Sequence, residues 1–224
     1  MPRYLLAAVA SLAVSWLGAA RADDRPLVDV AIVFVADTSN SISTAERYLE
    51  RRSHADALVS EPVQSAIADS QTGAIAAAYV EFGSQAWVRV GWTKIDGIAP
   101  AKAFGAAVLA ADYATDGWTG IGAGLDVANS LFTTLPFRAQ RLVVDVIGNG
   151  DNNYGEAVAP PRAALIARGV TINGMPMIRD PADADLVPYY ASMITGGPGH
   201  FSVPLTVFAD MPEALRKKIL LELY

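Results

Sequence analysis

Asp37, Ser39 and Ser41 stand two residues apart at the end of the stretch VDVAIVFVADTSNS, Val28 to Ser41. One carboxylate and two hydroxyls at this D-x-S-x-S spacing form a set of hard oxygen donors. Such a set suits magnesium, manganese or calcium rather than zinc, which favours nitrogen and sulfur. The same residue types also cap helices, because their side chains accept hydrogen bonds from free backbone N–H groups. Ser43 to Glu46, S-T-A-E, has the capping-box pattern and assigns Ser43 to that role. A cap explains one polar residue before a helix but not three spaced two apart, so a cation site and a capping turn are the two readings of this stretch.

Other residues offer less chemistry. A hydrolase needs a nucleophile and a base, yet there is no G-x-S-x-G, and the histidines are His54, inside a predicted helix, and His200, at the start of a predicted strand. Both read as structural or exposed. Asp37 resembles an aspartyl phosphatase nucleophile only in part, since Ser39 stands where a second acid is usual. Asp96, Asp112 and Asp116 show no pairing of a carboxylate dyad. Asp145, Asn149, Gly150, Asp151 and Glu156 have some offsets of a calcium loop, but Ile147 falls on a ligand position. Gly120, Gly122 and Gly124 follow a polar loop rather than a strand, which suits close helix packing better than dinucleotide binding. Trp87 and Trp92 read as core or edge packing and Trp118 as a candidate exposed residue. Arg47, Arg51 and Arg52 read as a solvated helix face.

The elements that must position Asp37 follow from hydrophobic patterning. Val30 to Ala36 is an unbroken apolar, β-branched run, as expected of a strand covered on both faces, with Asp37 at its carboxyl end. That edge is where open α/β sheets bind ligands. Thr44 to Ser60 is predicted to be a helix with Tyr48, Leu49, Ala55 and Leu58 inward. Gly73 to Phe82 and Ala86 to Trp92 read as strands joined by Gly83-Ser84-Gln85 into a hairpin, which places an antiparallel strand at the sheet edge. Helices are predicted over Ala101 to Ala111, Ile121 to Thr134, a segment opened by Pro160-Pro161, and Ala182 to Ile194. Strands are predicted over Arg141 to Ile147, Val170 to Ile178 and Phe201 to Phe208. Pro204 assigns the last of these to an edge. Asp210 to Leu223 closes as an amphipathic helix capped by Asp210. Strands alternating with helices predict a doubly wound α/β sheet.

The 224 residues fit one large domain, and an apolar content of 52% supports a sizeable core. A formal charge of −6 without a basic block argues against nucleic acid as a partner. The absence of cysteine excludes disulfides, thiolate metal sites and a cysteine nucleophile. Met1 to Ala22, with Arg3, an apolar stretch from Leu5 to Leu17 and Ala20-Arg21-Ala22, reads as a signal peptide; an uncleaved anchor is the alternative. The expected product is an exported, periplasmic or secreted domain over residues 23–224, with no stable membrane insertion after cleavage.

The first strand with its D-x-S-x-S, the hairpin, the loop Asp116 to Gly120, and a second polar strand end in RLVVDVIGNGDNN together resemble the von Willebrand factor type A domain, over about Val28 to Leu223. YVEF, TINGMPMI and GGPGHFSVP are similar to an exported bacterial subfamily with no assigned activity. The resemblance implies a six-stranded, mostly parallel sheet with one antiparallel edge strand and helices on both faces. It also implies a metal-ion-dependent adhesion site made of Asp37, Ser39, Ser41, Thr119 and Asn149. Where the family has a second aspartate, this chain has Asn149, within Gly148-Asn149-Gly150. The implied divalent cation, Mg2+ with Mn2+ or Ca2+ as alternatives, would then meet one formal negative charge instead of two and bind more weakly. Asn149→Asp is expected to restore it. Asp151 is a candidate substitute ligand or a solvated loop residue. Asn40 replaces a glycine common in the motif, and the turn is expected to survive this. The implied function is a non-enzymatic adhesion or protein-binding module whose partner supplies an acidic residue. A metal-free pseudo-site and a metal-assisted hydrolase are the alternatives.

Overall fold

The computed structural model describes residues 23–112 and 117–224. The stretch Met1 to Ala22, expected to be a signal peptide, lies outside the described residues, as does Asp116. Strand β1, Leu27–Asp37, is buried from Val28 onward, consistent with its uninterrupted apolar run. It pairs in parallel with β2, Ile75–Phe82, on one side and with β4, Arg138–Gly148, on the other. The hairpin forms as predicted: β3, Ala86–Ile95, runs antiparallel to β2 at one edge. β5, Val170–Pro176, pairs in parallel with β4, giving the order β3-β2-β1-β4-β5.

Among the described residues the regular strands therefore number five instead of the six expected. The segment predicted as the last strand runs parallel beside β5 but makes only isolated bridges, Gly174 with Ser202 and Met177 with Leu205. Its hydrogen bonds show why. Gly174 N–H donates to the Phe201 carbonyl, Val203 N–H to Gly174, Leu205 N–H to Pro176 and Ile178 N–H to Leu205. The donor that would complete this ladder belongs to Pro176, which has no N–H.

Alternate residues of β1 feed two cores. Val33 and Val35 face α4, Ile121–Thr133, together with α5, Ala159–Ala167, and residues 190–194. Ile32 and Phe34 face α1, Thr44–Val59, α2, Glu61–Ala68, α3, Ile98–Ala110, and α7, Met211–Leu223. Full burial of each such side chain contributes about 1.5–3 kcal/mol, which makes β1 the anchor of both layers. The expected single helix over Ala182 to Ile194 is instead a 3-10 turn, Pro181–Asp185, a short helix α6, Leu186–Tyr189, and a π-helical turn, Tyr190–Ile194. Pro188 within it cannot donate to an α-helical ladder. Among the described residues no helix is long and apolar enough to cross a membrane.

The largest departure from expectation is α1. Tyr48 is 52% exposed, whereas Arg47 and Arg51 are buried; Arg52 alone of the three arginines lies on a solvated face. Arg51 Nε donates to Glu81 Oε1 at 2.7 Å, and its other nitrogens donate to the carbonyls of Ala111 and Asp112, just past α3. Glu81 Oε2 also accepts from Arg89 at 2.8 Å. His54 is fully buried between the rings of Phe34 and Tyr79, and burial lowers its pKa to about 4, so it is neutral and structural. Farther along the layer, Lys218 is fully buried and pairs with both Asp145 and Glu222. Arg51 and Lys218 thus enter this core with carboxylate partners, the condition for burying their charge.

Candidate functional site

The ends of β1 and β4 lie side by side because the two strands are paired up to Ala36 and Ile147. This register brings the D-x-S-x-S turn against Gly148-Asn149-Gly150. Ser39 N–H donates to Asp37 Oδ1 at 2.8 Å, an Asx-type turn, and the Ser39 and Ser41 hydroxyls are 3.0 Å apart. Ser41 Oγ lies 2.8 Å from the side-chain amide of Asn149, 108 residues away. Thr38 straps the turn to the neighbouring strand through its N–H and hydroxyl, which donate to the Phe82 carbonyl at 2.7 and 3.1 Å.

Thr119 reaches the same rim. A Cβ at Gly150 would come within 3.1 Å of Thr119 Oγ1, so Gly150 lets the two loops touch. The loop after β4 clamps the Thr119 segment. Thr119 N–H donates to Asn153 Oδ1, Asn153 N–H returns to the Thr119 carbonyl, and Gly122 N–H donates to Asn152 Oδ1, each at 2.9 Å. On the other side, Asn40 N–H donates to the Gly117 carbonyl. Ser43 caps α1, and the capping box with Glu46 forms as predicted. Capping therefore uses Ser43 and none of the three upstream side chains. Asp210, by contrast, makes no side-chain cap at α7.

Asp37 is fully buried, and Oδ2 has no well-formed hydrogen bond among the described residues. Burial pushes its carboxyl up to about 6, against the lowering effects of the Ser39 groups, the Asn149 N–H and the charge of Arg179. The Tyr190 hydroxyl, also buried without a partner, shares this space: a Cβ at Gly148 would sit 2.7 Å from it and 3.0 Å from Asp37 Oδ2. A desolvated carboxylate oxygen next to two hydroxyls is a set that fits a hard cation. Among the described residues no three His, Cys, Asp or Glu side chains form a group that could hold a metal ion.

Arg179, just past β5, was not among the predicted site residues. Its Nη1 donates to the Ser41 carbonyl at 2.6 Å, and Nη2 lies 3.1 Å from Glu46 Oε1. These neighbours fix the orientation of Asn149. Its Nδ2 donates to Ser41 Oγ at 2.8 Å, and its Oδ1 accepts from Arg179 Nη2 at 2.6 Å and Nη1 at 2.9 Å. The amide oxygen thus faces the guanidinium and not the hydroxyls. The only advance signal was position, since Arg179 follows a strand at the sheet's carboxyl edge.

The remaining candidates resolve simply. Asp145 is buried against Lys218, away from the rim loop, so the calcium-loop spacing is not a site. Gly122 and Gly124 are packing positions: Cβ atoms there would come within 2.3 Å of the Glu156 carbonyl and 2.9 Å of Val35. Asp151 is exposed and lines a cleft of about 380 Å³ beside the rim with Asn149, Asp183, Asp185 and Tyr189. Trp118 is 60% exposed, whereas Trp92 donates to the Leu131 carbonyl at the edge of the core.

A family model described as "Protein of unknown function (DUF1194)" matches residues 27–224. No curated protein matches the sequence. Among solved structures, von Willebrand factor type A from Catenulispora acidiphila is similar, with a TM-score of 0.62 and 16% identity over 86% of this chain and 42% of that one. Proximal thread matrix protein 1 from the mussel byssus, in the form with a zinc-occupied MIDAS motif, has a TM-score of 0.61 and 19% identity, covering 89% and 48% respectively. The pilus adhesin SpaC from Lactobacillus rhamnosus GG, in its open conformation, has a TM-score of 0.62 and 13% identity, covering 88% and 30%. This chain spans less than half the length of each of these solved chains. The chain belongs to the DUF1194 family of proteins of unknown function, and its fold is that of a von Willebrand factor A-like domain.

Proposed function

We propose that this chain is a non-enzymatic, exported binding module, in which Asp37, Ser39, Ser41, Thr119 and Asn149 hold a divalent cation that meets an Asp or Glu of a partner protein. The cation supplies a positive centre for that carboxylate. Asp37 contributes the charge, the two serine hydroxyls lie beside it, and Thr119 and Asn149 close the rim from the adjoining loops. The observation carrying this reading is the convergence of Ser39, Ser41 and Asn149 beside a buried carboxylate oxygen that lacks a hydrogen-bond partner. A zinc-occupied MIDAS motif in one similar structure, and the adhesin description of another, support the same class. Mg2+ is the first candidate, with Mn2+ and Ca2+ next. Adhesion, or recruitment of another exported protein, would follow. The two histidines are not placed for a hydrolase: His54 is enclosed in the core, and His200 Nδ1 contacts the Gly197 carbonyl.

The test is calorimetric titration of the protein with Mg2+ and Mn2+. Binding by the parent that disappears in Asp37→Ala supports the reading. Absence of binding at millimolar cation in the parent and in every site variant would leave the second reading, a metal-free rim, favoured by the guanidinium already facing Asn149. Turnover of phosphoesters or esters, lost in Asp37→Ala, would overturn the non-enzymatic assignment.

A further inference from the structure

Arg179 gives the rim a cation of its own. The paired N–H groups of its guanidinium hold the Asn149 oxygen, the Ser41 carbonyl and Glu46 together. Two effects oppose a divalent ion next to Asp37. The Asn149 oxygen is already committed, and a second positive charge would lie within a few ångströms of the guanidinium at a partly screened surface. The side chain is 33% exposed, so it has a route into solvent. Glu46 keeps its other oxygen on Ser43 N–H at 2.7 Å whether Arg179 stays or leaves.

We propose that Arg179 is a tethered competitor of the divalent cation, which has to swing outward before Asn149 can turn its oxygen to the ion. The proposal rests on the reading of this rim as a cation site. It reverses the expectation that Asn149→Asp alone restores binding. A carboxylate at that position would meet both guanidinium N–H groups in a paired, charge-assisted contact and tighten the lock. Restoring the charge should help a cation only when Arg179 is also gone.

The experiment compares the parent with Arg179→Gln, Asn149→Asp and the double variant. Mn2+ affinity is measured by calorimetry, and the thermal midpoint is read in EDTA as a metal-free measure of the lock. Arg179→Gln should bind Mn2+ roughly tenfold or more tightly than the parent, the scale of removing a nearby like charge. Asn149→Asp should gain little Mn2+ affinity but raise the EDTA midpoint. The double variant should lose that rise and bind most tightly. Detectable binding in Arg179→Gln but not in the parent also supports the proposal. If the parent binds Mn2+ and Arg179→Gln binds it no better, the competitor role is overturned while the cation reading stands. The role also fails if Asn149→Asp alone matches the double variant. No binding in any of the four proteins overturns the cation reading and the competition with it. Arg179→Lys keeps the charge without the paired geometry, and circular dichroism checks that all variants fold.

Discussion

Replacing Asp37 by Asn should make the metal-free protein more stable at neutral pH. The carboxyl is fully buried, and burial raises its pKa from the ordinary 3.8 to about 6. Between those values the native state binds a proton that the unfolded chain has released. The unfolded state therefore holds fewer protons, and the contribution of this group to stability falls as pH rises through that window. A difference of about two pKa units, at about 1.4 kcal/mol each, amounts to about 3 kcal/mol, fully expressed above about pH 7. Asn keeps an oxygen for the Ser39 N–H bond of 2.8 Å and removes the charge. Urea unfolding in EDTA across a pH series is the assay. The variant should match the parent near pH 3, below the unfolded value, and exceed it by about 3 kcal/mol near pH 7.5. Taking the difference between the two proteins cancels Glu222, whose carboxyl burial also raises; Glu50, raised by burial and further by the Asp37 charge, is relieved in the variant and moves the gap in the same direction. A variant no more stable than the parent near pH 7.5, or a gap that does not change with pH, would refute the reasoning. Added Mn2+ should narrow the gap, because a ligand of the ionised site stabilises the parent alone.

Two further predictions concern the supports of the site. Lys218→Met would strand Asp145 and Glu222 in the core without their shared cation. It should lower unfolding stability at neutral pH by about 3–5 kcal/mol, and parent-like urea stability would show that the buried set is dispensable. Gly122→Ala would bring a Cβ to 2.3 Å from the Glu156 carbonyl and force the post-β4 clamp to move. A loss of about 1–3 kcal/mol is expected, and an unchanged thermal midpoint would count against that clamp.

The sheet was legible because its strands carry their burial in their composition. Val30 to Ala36 has too little polarity for any but a covered position, Arg141 to Ile147 is covered from Val143 onward, and the Gly83-Ser84-Gln85 link fixed the antiparallel edge. The broken sixth strand was not legible, since the missing donor belongs to Pro176 in its neighbour rather than to Pro204 in the segment itself. Arg51 was misread for a related reason. Its spacing on α1, four residues before Ala55 and seven before Leu58, is that of the inward face, and its charge alone reads as solvated; the fold shows Glu81 and the carbonyls of Ala111 and Asp112 arriving from β2 and the end of α3. Residue type reports polarity, whereas burial of charge depends on partners supplied across the fold. Arg179 escaped for the same reason, because its contacts come from the first strand end and the first helix.

The rim combines a rigid part with an adaptable one. Asp37, Thr38 and Ser39 are buried and tied to strand ends through backbone hydrogen bonds, and the glycines at 148 and 150 leave no side chain to relax into the gap. The Glu81 pair with Arg51 sits beside Phe82, the residue that straps Thr38, so the buried ions stiffen the backbone beneath the site. Preorganisation of this kind lowers the cost of ordering when a ligand arrives. Arg179 is different, since an exposed side chain can change partners without repacking anything. Under the competition proposed for Arg179, cation affinity depends on how firmly its guanidinium is held, and Glu46, 3.1 Å from Nη2, is its other anchor.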